Sequence, residues 1–508
     1  MQYDAIVVGG GFGGLGTALE LARAGARVAL VEALAYPGGC ASTFKRGGIR
    51  YESGATLFSG FDPHQLFGRW LSELMPEVVF ERIDPIVEHR TRHHRLVVTR
   101  ERDGLLRQLC AVEGAPREGL ARFFGVQRKV ADALWPIFDE PEHLTPSSLS
   151  GLWWHAKRLP SYASLAPYVG RTLASVMAEH GVERFEPLRT FVDALCQITV
   201  QCAAEEAEAP FALAAMDYYH RGTGHVRGGI GALASAMVSA IERAGGKVML
   251  ANSVHHVHRA PGGFAVEARR GTLHAEKVVL NLLPQAALAL AKPTRTGRAR
   301  LERLSEKVEG GWSAVMLYLV ARPPEGAPDC AKHYDLVVDP SLPHVDGNHL
   351  FVSISGASDG ERAPEGLRTL TVSTHVSHQA LRALEPEAQA ARVHAIQERM
   401  REGLALLLPE WSSGALHAMT ASPRTFQRFT QRPHGLVGGI PRRAGLGNYR
   451  QMGPFEVEPG LYLVGDSVFP GQSTLATAVG GARLAAHLAA ELVRADSPAL
   501  RSGPAAPP

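Results

Sequence analysis

Tyr3-Asp4-Ala5-Ile6-Val7-Val8-Gly9-Gly10-Gly11-Phe12-Gly13-Gly14, continuing to Glu32, is the stretch from which the architecture follows. Ala5 to Val8 is a short apolar, partly β-branched run of the kind buried on both faces of a sheet. Gly9, Gly11 and Gly14 then fit G-x-G-x-x-G. In that pattern the first glycine makes a tight turn, the second lets a pyrophosphate approach the backbone, and the third lets helix and strand pack closely. Residues 14 to 24 are rich in Ala, Leu, Glu and Arg, which favours a helix, and Gly25 is placed to stop it. The helix start turns free N–H groups and a positive dipole end toward the phosphates. Arg27 to Val31 reads as a second strand. Glu32 stands at its end, 18 residues after Gly14, where a carboxylate accepts hydrogen bonds from a ribose. Strand, glycine triplet, helix, strand and acid in that order indicate dinucleotide binding, with FAD and NAD both open.

Two further segments favour FAD. After Glu32 comes Pro37-Gly38-Gly39-Cys40-Ala41-Ser42-Thr43, a loop with exposed N–H groups and little bulk, in which Gly38, Gly39 and Ser42 are candidate cofactor contacts. A plain NAD domain more usually goes straight into its next βα unit. Far along the chain, Gly460-Leu461-Tyr462-Leu463-Val464-Gly465-Asp466 reads as a buried strand ending in Gly-Asp, and a small-residue helix begins near Thr474 and Leu475. Asp466, beside Gly465, is placed to accept a hydrogen bond from a flavin's ribityl chain. The helix start is placed to stabilise negative charge on the reduced ring.

With 508 residues the chain is too long for one simple core, so two or three lobes are expected. A hydrophobic fraction of 45% and a net charge of +3 describe an ordinary globular protein and give no argument for nucleic acid. The five cysteines are dispersed without a C-x-x-C pair, which reads as reduced thiols in a cytoplasmic protein and suggests no zinc or other metal site. The first strand begins at once, leaving no room for a secretory signal, and no run of about 18 apolar residues suggests a spanning helix.

Between about 62 and 219 the βαβ rhythm is lost. His89-Arg90-Thr91-Arg92-His93-His94-Arg95 reads as a solvated strand and turn. Helical patterns follow around 117–138 and 171–208, and between them lies Leu152-Trp153-Trp154-His155-Ala156-Lys157-Arg158. Paired tryptophans beside a basic pair suit either an interfacial membrane helix or a two-sided core helix. The dinucleotide rhythm returns near Val226-Arg227-Gly228-Gly229 and runs through Val254 to the strand Lys277 to Leu283. Further strands around 313–320, 350–355 and 370–373 and a helix around 386–408 belong to a second lobe. Three residues are candidates for catalysis: Asp217 and His220, just before the return to the first lobe, and Arg424.

Pro37-Gly38-Gly39, Gly54-Ala55, Val226 to Leu233, Pro423-Arg424-Thr425 and Gly460 to Gln472 together resemble the FAD-dependent carotenoid desaturase and carotenoid isomerase family, which includes retinol saturases. The resemblance implies an α/β, two-lobed flavoprotein of amine-oxidase-like architecture, with a Rossmann-like FAD lobe and a substrate lobe of mixed sheet and helices. The FAD lobe is expected over 1–62, 220–300 and 455–495, the substrate lobe over 63–219 and 301–454, and a disordered tail over 496–508. Gly9, Gly11, Gly14, Glu32, Gly38, Gly39, Val254 and Asp466 fall on the family's cofactor positions, Val254 through its backbone at the adenine. The family implies a long polyene substrate, a peripheral place on the inner face of a membrane, and a quinone or oxygen as electron acceptor. Ser473 departs from the family by standing where relatives often have glycine, and Cys40 reads as a small packing residue. Desaturation and isomerisation are the expected reactions. A retinol-saturase-like reductase and an amine or protoporphyrinogen-type oxidase are the alternatives, and a non-enzymatic prenyl-binding escort protein is a third.

Overall fold

Gln2–Val8 forms the centre of the first sheet, parallel to Val28–Val31 on one side and to Gly271–Leu280 on the other. Lys247–Met249 extends the sheet beyond Val28–Val31, and Leu461–Leu463 joins the Leu280 end in parallel. These strands are continuous apolar runs because both faces are covered. Ala5 and Val7 pack under the helices Phe12–Arg23, Ile230–Arg243 and Thr474–Asp496. Ile6 and Val8 face the helices Pro284–Ala291 and Arg295–Val308. This computed structural model describes residues 2–54, 57–143, 149–450 and 452–496; the tail expected at 496–508 lies, from residue 497, outside them.

The second sheet is built from Ala415–Ala421, Trp312–Ala321, Arg368–Ser377, His349–Ile354, Lys332–Val337, Val87–Arg90 and Arg95–Val98, in that order. Period-two alternation divides the strand Trp312–Ala321. Val315, Leu317 and Leu319 pack with the helix Pro386–Leu407, while Ala314, Met316 and Tyr318 turn to the opposite face. A layer of helices, chiefly Arg117–Asp139, Glu186–Thr199 and Ala209–Ala215, covers the remaining side of this lobe. Two helices fall differently from the expected division. Leu66–Leu74 buries Phe67 and Trp70 in the core under the first sheet, and Arg295–Val308 runs past residue 300 while still packed on that sheet.

The basic run at His89–Arg95 is a strand and turn solvated at its tip, where Arg92, His93 and Arg95 are exposed, but not at its start. His89 is wholly buried, its Nδ1 2.9 Å from Asp335 Oδ2, and His349 bonds the other oxygen of the same carboxylate. Burial alone would raise the Asp335 carboxyl, but the flanking His349 and His89 hold it far below the usual range. Glu88, also buried, is bonded by Arg90 and Arg95. The strand's charges are therefore partnered, Glu88 by nearby arginines and His89 and Arg90 by Asp335 and Glu410 from far along the chain.

A second buried acid sets a pH dependence. Asp193, on the helix Glu186–Thr199, accepts a hydrogen bond from the N–H of Ala204 at 2.8 Å. Burial pushes its carboxyl up to about 6, against that hydrogen bond and with help from Glu205. A folded value above the unfolded value of about 3.9 means the contribution is fully present below about pH 4 and is lost as pH rises to about 6. Asp193→Asn should remove this component, so that wild type loses up to about 3 kcal/mol relative to the variant between pH 4 and 6. Urea midpoints measured across that window check it.

Candidate active site

Gly9, Glu32, Asn281 and Val464 each follow the last residue of a parallel strand, at the edge where open α/β sheets bind ligands. Gly9 has φ +103°, a conformation that L side chains rarely adopt, and a Cβ there would lie 2.7 Å from the carbonyl oxygen of Asn281. A Cβ on Gly11 would meet Asn281 Nδ2 at 2.8 Å, and one on Gly14 would meet the carbonyl oxygen of Gly9 at 2.1 Å. The glycine loop therefore has room for a ligand on one side only because it has no side chains on the other. The helix Phe12–Arg23 starts at Gly11 without a side-chain cap. Its first N–H groups stay available to an anion.

Glu32 receives the N–H of Gly10 at 2.6 Å on one oxygen and the N–H of Leu34 at 2.7 Å on the other. Burial raises its carboxyl above the ordinary value, against those two donors. A carboxylate has about four acceptor positions, so Glu32 fixes the loop and keeps capacity for ribose hydroxyls. The Gly38-Gly39 loop returns to the same place: Gly38 donates to the carbonyl of Gly10 at 2.8 Å, and both glycines have positive φ.

At the far end of the cradle, Asp466 accepts a 2.7 Å hydrogen bond from Arg432 Nη2. Burial would weaken the Arg432 guanidinium as a cation, but Asp466 outweighs burial and holds it firmly protonated. Ser473 has φ +95°, a strained value for a non-glycine residue. The serine is put to use there, because its Oγ accepts the N–H of Ala476 at 3.0 Å and caps the helix Thr474–Asp496.

These groups open onto one cavity of about 830 Å³. Gly9, Gly11, Glu32, Gly38, Gly39, Val254, Gly465, Asp466, Thr474 and Leu475 all line it. Gly14 does not, in keeping with a packing role against Gly9, and neither does Ser42, whose Oγ sits 3.1 Å from Ser53 Oγ. Cys40 is part of the cavity wall, and burial raises its thiol, which argues against a reactive thiolate. Beyond the cradle the same cavity continues between the second sheet and the helical layer, past Ala314, Met316, Phe351, Trp135, Phe138 and Phe211.

The three catalytic candidates are not brought to this cavity. Asp217 is buried in an ion cluster, bonded by Arg102 Nε at 2.8 Å and Arg221 Nη2 at 3.0 Å. His220 is half-buried beside it, and that burial lowers its imidazole from the ordinary value. Arg424 is exposed, 3.4 Å from Gln389. The helix Pro423–Thr430 turns Phe426 and Thr430 inward, and a residue two positions before Phe426 points to the opposite side. Conversely, Asn281, Arg432 and Arg442 line the cavity and were not singled out from sequence. The sequence signal for Asn281 was a lone polar residue closing the apolar strand Lys277 to Leu283.

Asn281 Nδ2 donates to the carbonyl of Gly9 at 3.2 Å, and its side chain lies under Gly11, Gly13 and Gly14. Asn281→Leu removes that donor and places a branched chain beneath the loop. FAD affinity should fall about 10- to 100-fold with the circular dichroism spectrum unchanged, as measured by titrating apoprotein with FAD.

A sequence profile of flavin-containing amine oxidoreductases matches residues 12–494. The chain belongs to that family. Among curated relatives of this flavoprotein are the chloroplastic prolycopene isomerase of Arabidopsis thaliana, 26% identical over 96% of this chain and 83% of its own length. Another is the neurosporene-forming phytoene desaturase of Rhodobacter capsulatus, 25% identical over 97% and 95%. Among solved structures, an oxidoreductase from Methanosarcina mazei superimposes with a TM-score of 0.62 at 18% identity over 97% of this chain and all of its own. Putrescine oxidase bound to putrescine gives 0.62 at 14%, over 97% and 99%. The expected two-lobed, amine-oxidase-like fold is thus found, and so is the likeness to the carotenoid branch. FAD is the cofactor of this family member. The chain fits it, with a side-chain-free loop at an uncapped helix start for the pyrophosphate and a carboxylate ending the second strand.

Proposed function

We propose that this chain is an FAD-dependent oxidoreductase acting on a carotenoid or related long polyene, by desaturation or cis–trans isomerisation. The observation that carries the reading is the cavity beyond the cradle. Its walls are mainly apolar and aromatic, and among the described lining residues the carboxylates Glu32 and Asp466 both lie on the cradle side. An amine would bring a cation into the outer half with no acid to meet it, whereas a polyene needs only apolar contact. The prolycopene isomerase and phytoene desaturase relatives support the same substrate class.

FAD, when bound, supplies two-electron redox chemistry, reset by a quinone or oxygen. In this reading Gly9, Gly11, Gly38 and Gly39 take the pyrophosphate, and Glu32 and Val254 hold the adenosine end. Asp466, steadied by Arg432, holds the ribityl chain, and the helix start at Thr474 faces the ring. Met316, Phe351 and Phe211 keep the polyene aligned and water out.

Such a substrate is drawn from lipid, and the helix Leu149–Ala163 suits contact with a membrane face. Leu152, Trp153 and Leu159 are 54%, 62% and 62% exposed, with Lys157 Nζ 3.1 Å from the centre of the Trp153 ring. Trp154 faces inward instead, packing with Ile137 and Phe469 of the cavity wall. No helix among the described residues is long and apolar enough to cross a membrane.

The test is anaerobic incubation of the yellow protein with lycopene, neurosporene or all-trans-retinol in liposomes. Flavin bleaching with a red-shifted polyene band means desaturation. A changed cis-peak without net flavin turnover means isomerisation, and a blue shift needing prereduced flavin means a saturase-like reductase. Reduction by amines with no response to any polyene overturns the proposal. Co-sedimentation with liposomes should fall in Trp153→Ala/Leu159→Ser, and unchanged binding overturns the membrane face.

A further inference from the structure

Among the described residues that line the cavity, one arginine besides Arg432 stands against its aromatic wall. Arg442 lines it, with its guanidinium carbon 5.5 Å from the ring centre of Phe211 and 6.0 Å from that of Phe469. Among the described residues its side chain makes a single hydrogen bond, from Nη2 to the carbonyl of Pro470 at 3.0 Å, and no ion pair. Burial lowers it to about 10, which still leaves it charged at neutral pH. The guanidinium offers five N–H donors in a planar fork, so most of that capacity is not taken up by the described residues.

Three other enclosed arginines differ. Arg432 is paired with Asp466, Arg362 lies 3.5 Å from Glu52, and Arg483 is bonded to the carbonyls of Met452, Gly453 and Phe469. The mounting of Arg442 is also rigid. Its N–H donates to Val200 O at 2.9 Å and its carbonyl accepts from Glu208 N at 2.8 Å. The buried Glu208 carboxylate then takes the N–H groups of Gly170 and Gly445, both at 2.6 Å, and the hydroxyl of Tyr449 at 2.8 Å. The segment that carries the cation is pinned before any ligand arrives.

A pure hydrocarbon filling this cavity would strip water from a guanidinium and give it nothing in return. A carboxylate matches the planar fork with two parallel, charge-assisted hydrogen bonds. We propose that Arg442 receives the carboxylate end of the substrate, which makes the substrate a polyene carboxylic acid with its chain along the aromatic walls. This inference rests on the polyene reading and narrows it.

The test uses the FAD-loaded wild-type protein and three ligands of equal chain length: a linear polyene monocarboxylic acid, its methyl ester and the parent hydrocarbon. Binding is followed by the flavin difference spectrum in detergent micelles at neutral pH. The acid should bind at least about tenfold more tightly than the other two. That preference should vanish in Arg442→Gln and survive in part in Arg442→Lys, with flavin content and midpoint potential as in wild type. Equal affinity for acid and hydrocarbon in wild type overturns the inference and leaves the polyene reading standing. A preference that persists in Arg442→Gln while the midpoint potential moves also overturns it, and assigns the cation to the flavin ring. If none of the three ligands binds, the polyene reading fails and this inference fails with it.

Discussion

Gly14→Ala should yield protein that purifies colourless. The added Cβ would lie 2.1 Å from the carbonyl oxygen of Gly9, and neither a backbone carbonyl nor a Cβ fixed to its Cα can swing aside. The helix Phe12–Arg23 must then lift from the strand end, spoiling the Gly9–Gly11 turn and the N–H groups that depend on it. Flavin affinity should fall by at least about 100-fold, a loss of about 3 kcal/mol or more. Gly25→Ala is the matched control. Gly25 also has positive φ (+83°), but nothing lies within 4 Å of its added Cβ. That variant should lose only about 1–2 kcal/mol of stability and keep its flavin. Equal flavin content in the two variants would show that close packing at Gly14 does not govern the cradle.

Arg362→Met should destabilise the fold by about 3–5 kcal/mol, the usual consequence of leaving a buried charge without its partner. Arg362 is 2% exposed and holds three elements together. Its Nε donates to Arg50 O at 2.9 Å, its Nη2 donates to Thr369 Oγ1 at 3.2 Å, and its Nη1 lies 3.5 Å from Glu52 Oε1. Glu52 in turn accepts the N–H of Ile230, and Asp359 accepts that of Gly228 while its other oxygen meets His225. Burial raises the Glu52 carboxyl, against the pull of Arg362 and His225. The network ties the strand Ile49–Glu52 and the start of the helix Ile230–Arg243 to the second sheet. Urea denaturation at neutral pH measures the loss, and Arg362→Met/Glu52→Gln should recover much of it because no carboxylate is then left alone. A double variant as unstable as the single would mean that packing, not charge, is what Arg362 supplies.

The cradle was legible in sequence because its requirements fall on neighbouring residues. Gly9, Gly11, Gly14 and Glu32 sit in one strand–turn–helix–strand unit, and Asp466 to Leu475 in another. What could not be read was whatever depends on how distant segments meet. His89 looked like part of a solvated charge run because its partner Asp335 is 246 residues away. Arg424 was chosen from a motif, but the phase of its short helix turns Phe426 inward instead. Asn281, Arg432 and Arg442 are single polar residues without local pattern, and only tertiary placement makes them cavity residues. The outer half of the cavity was the least legible, since its walls come from the second sheet and several separate helices.

The strand Gln2–Val8 precedes in chain order, by about 450 residues, the last pieces that flank and cover it. Leu461–Leu463 adds to the edge of Gly271–Leu280, and the helix Thr474–Asp496 packs along Phe12–Arg23. Until those residues are synthesised, Ala5, Val7, Leu15 and Leu19 have no completed core, and apolar strands stay uncovered on a growing chain. Completion of the cofactor cradle therefore waits on those residues, and a chain cut before Leu461 should give an aggregating species in place of a weakened enzyme.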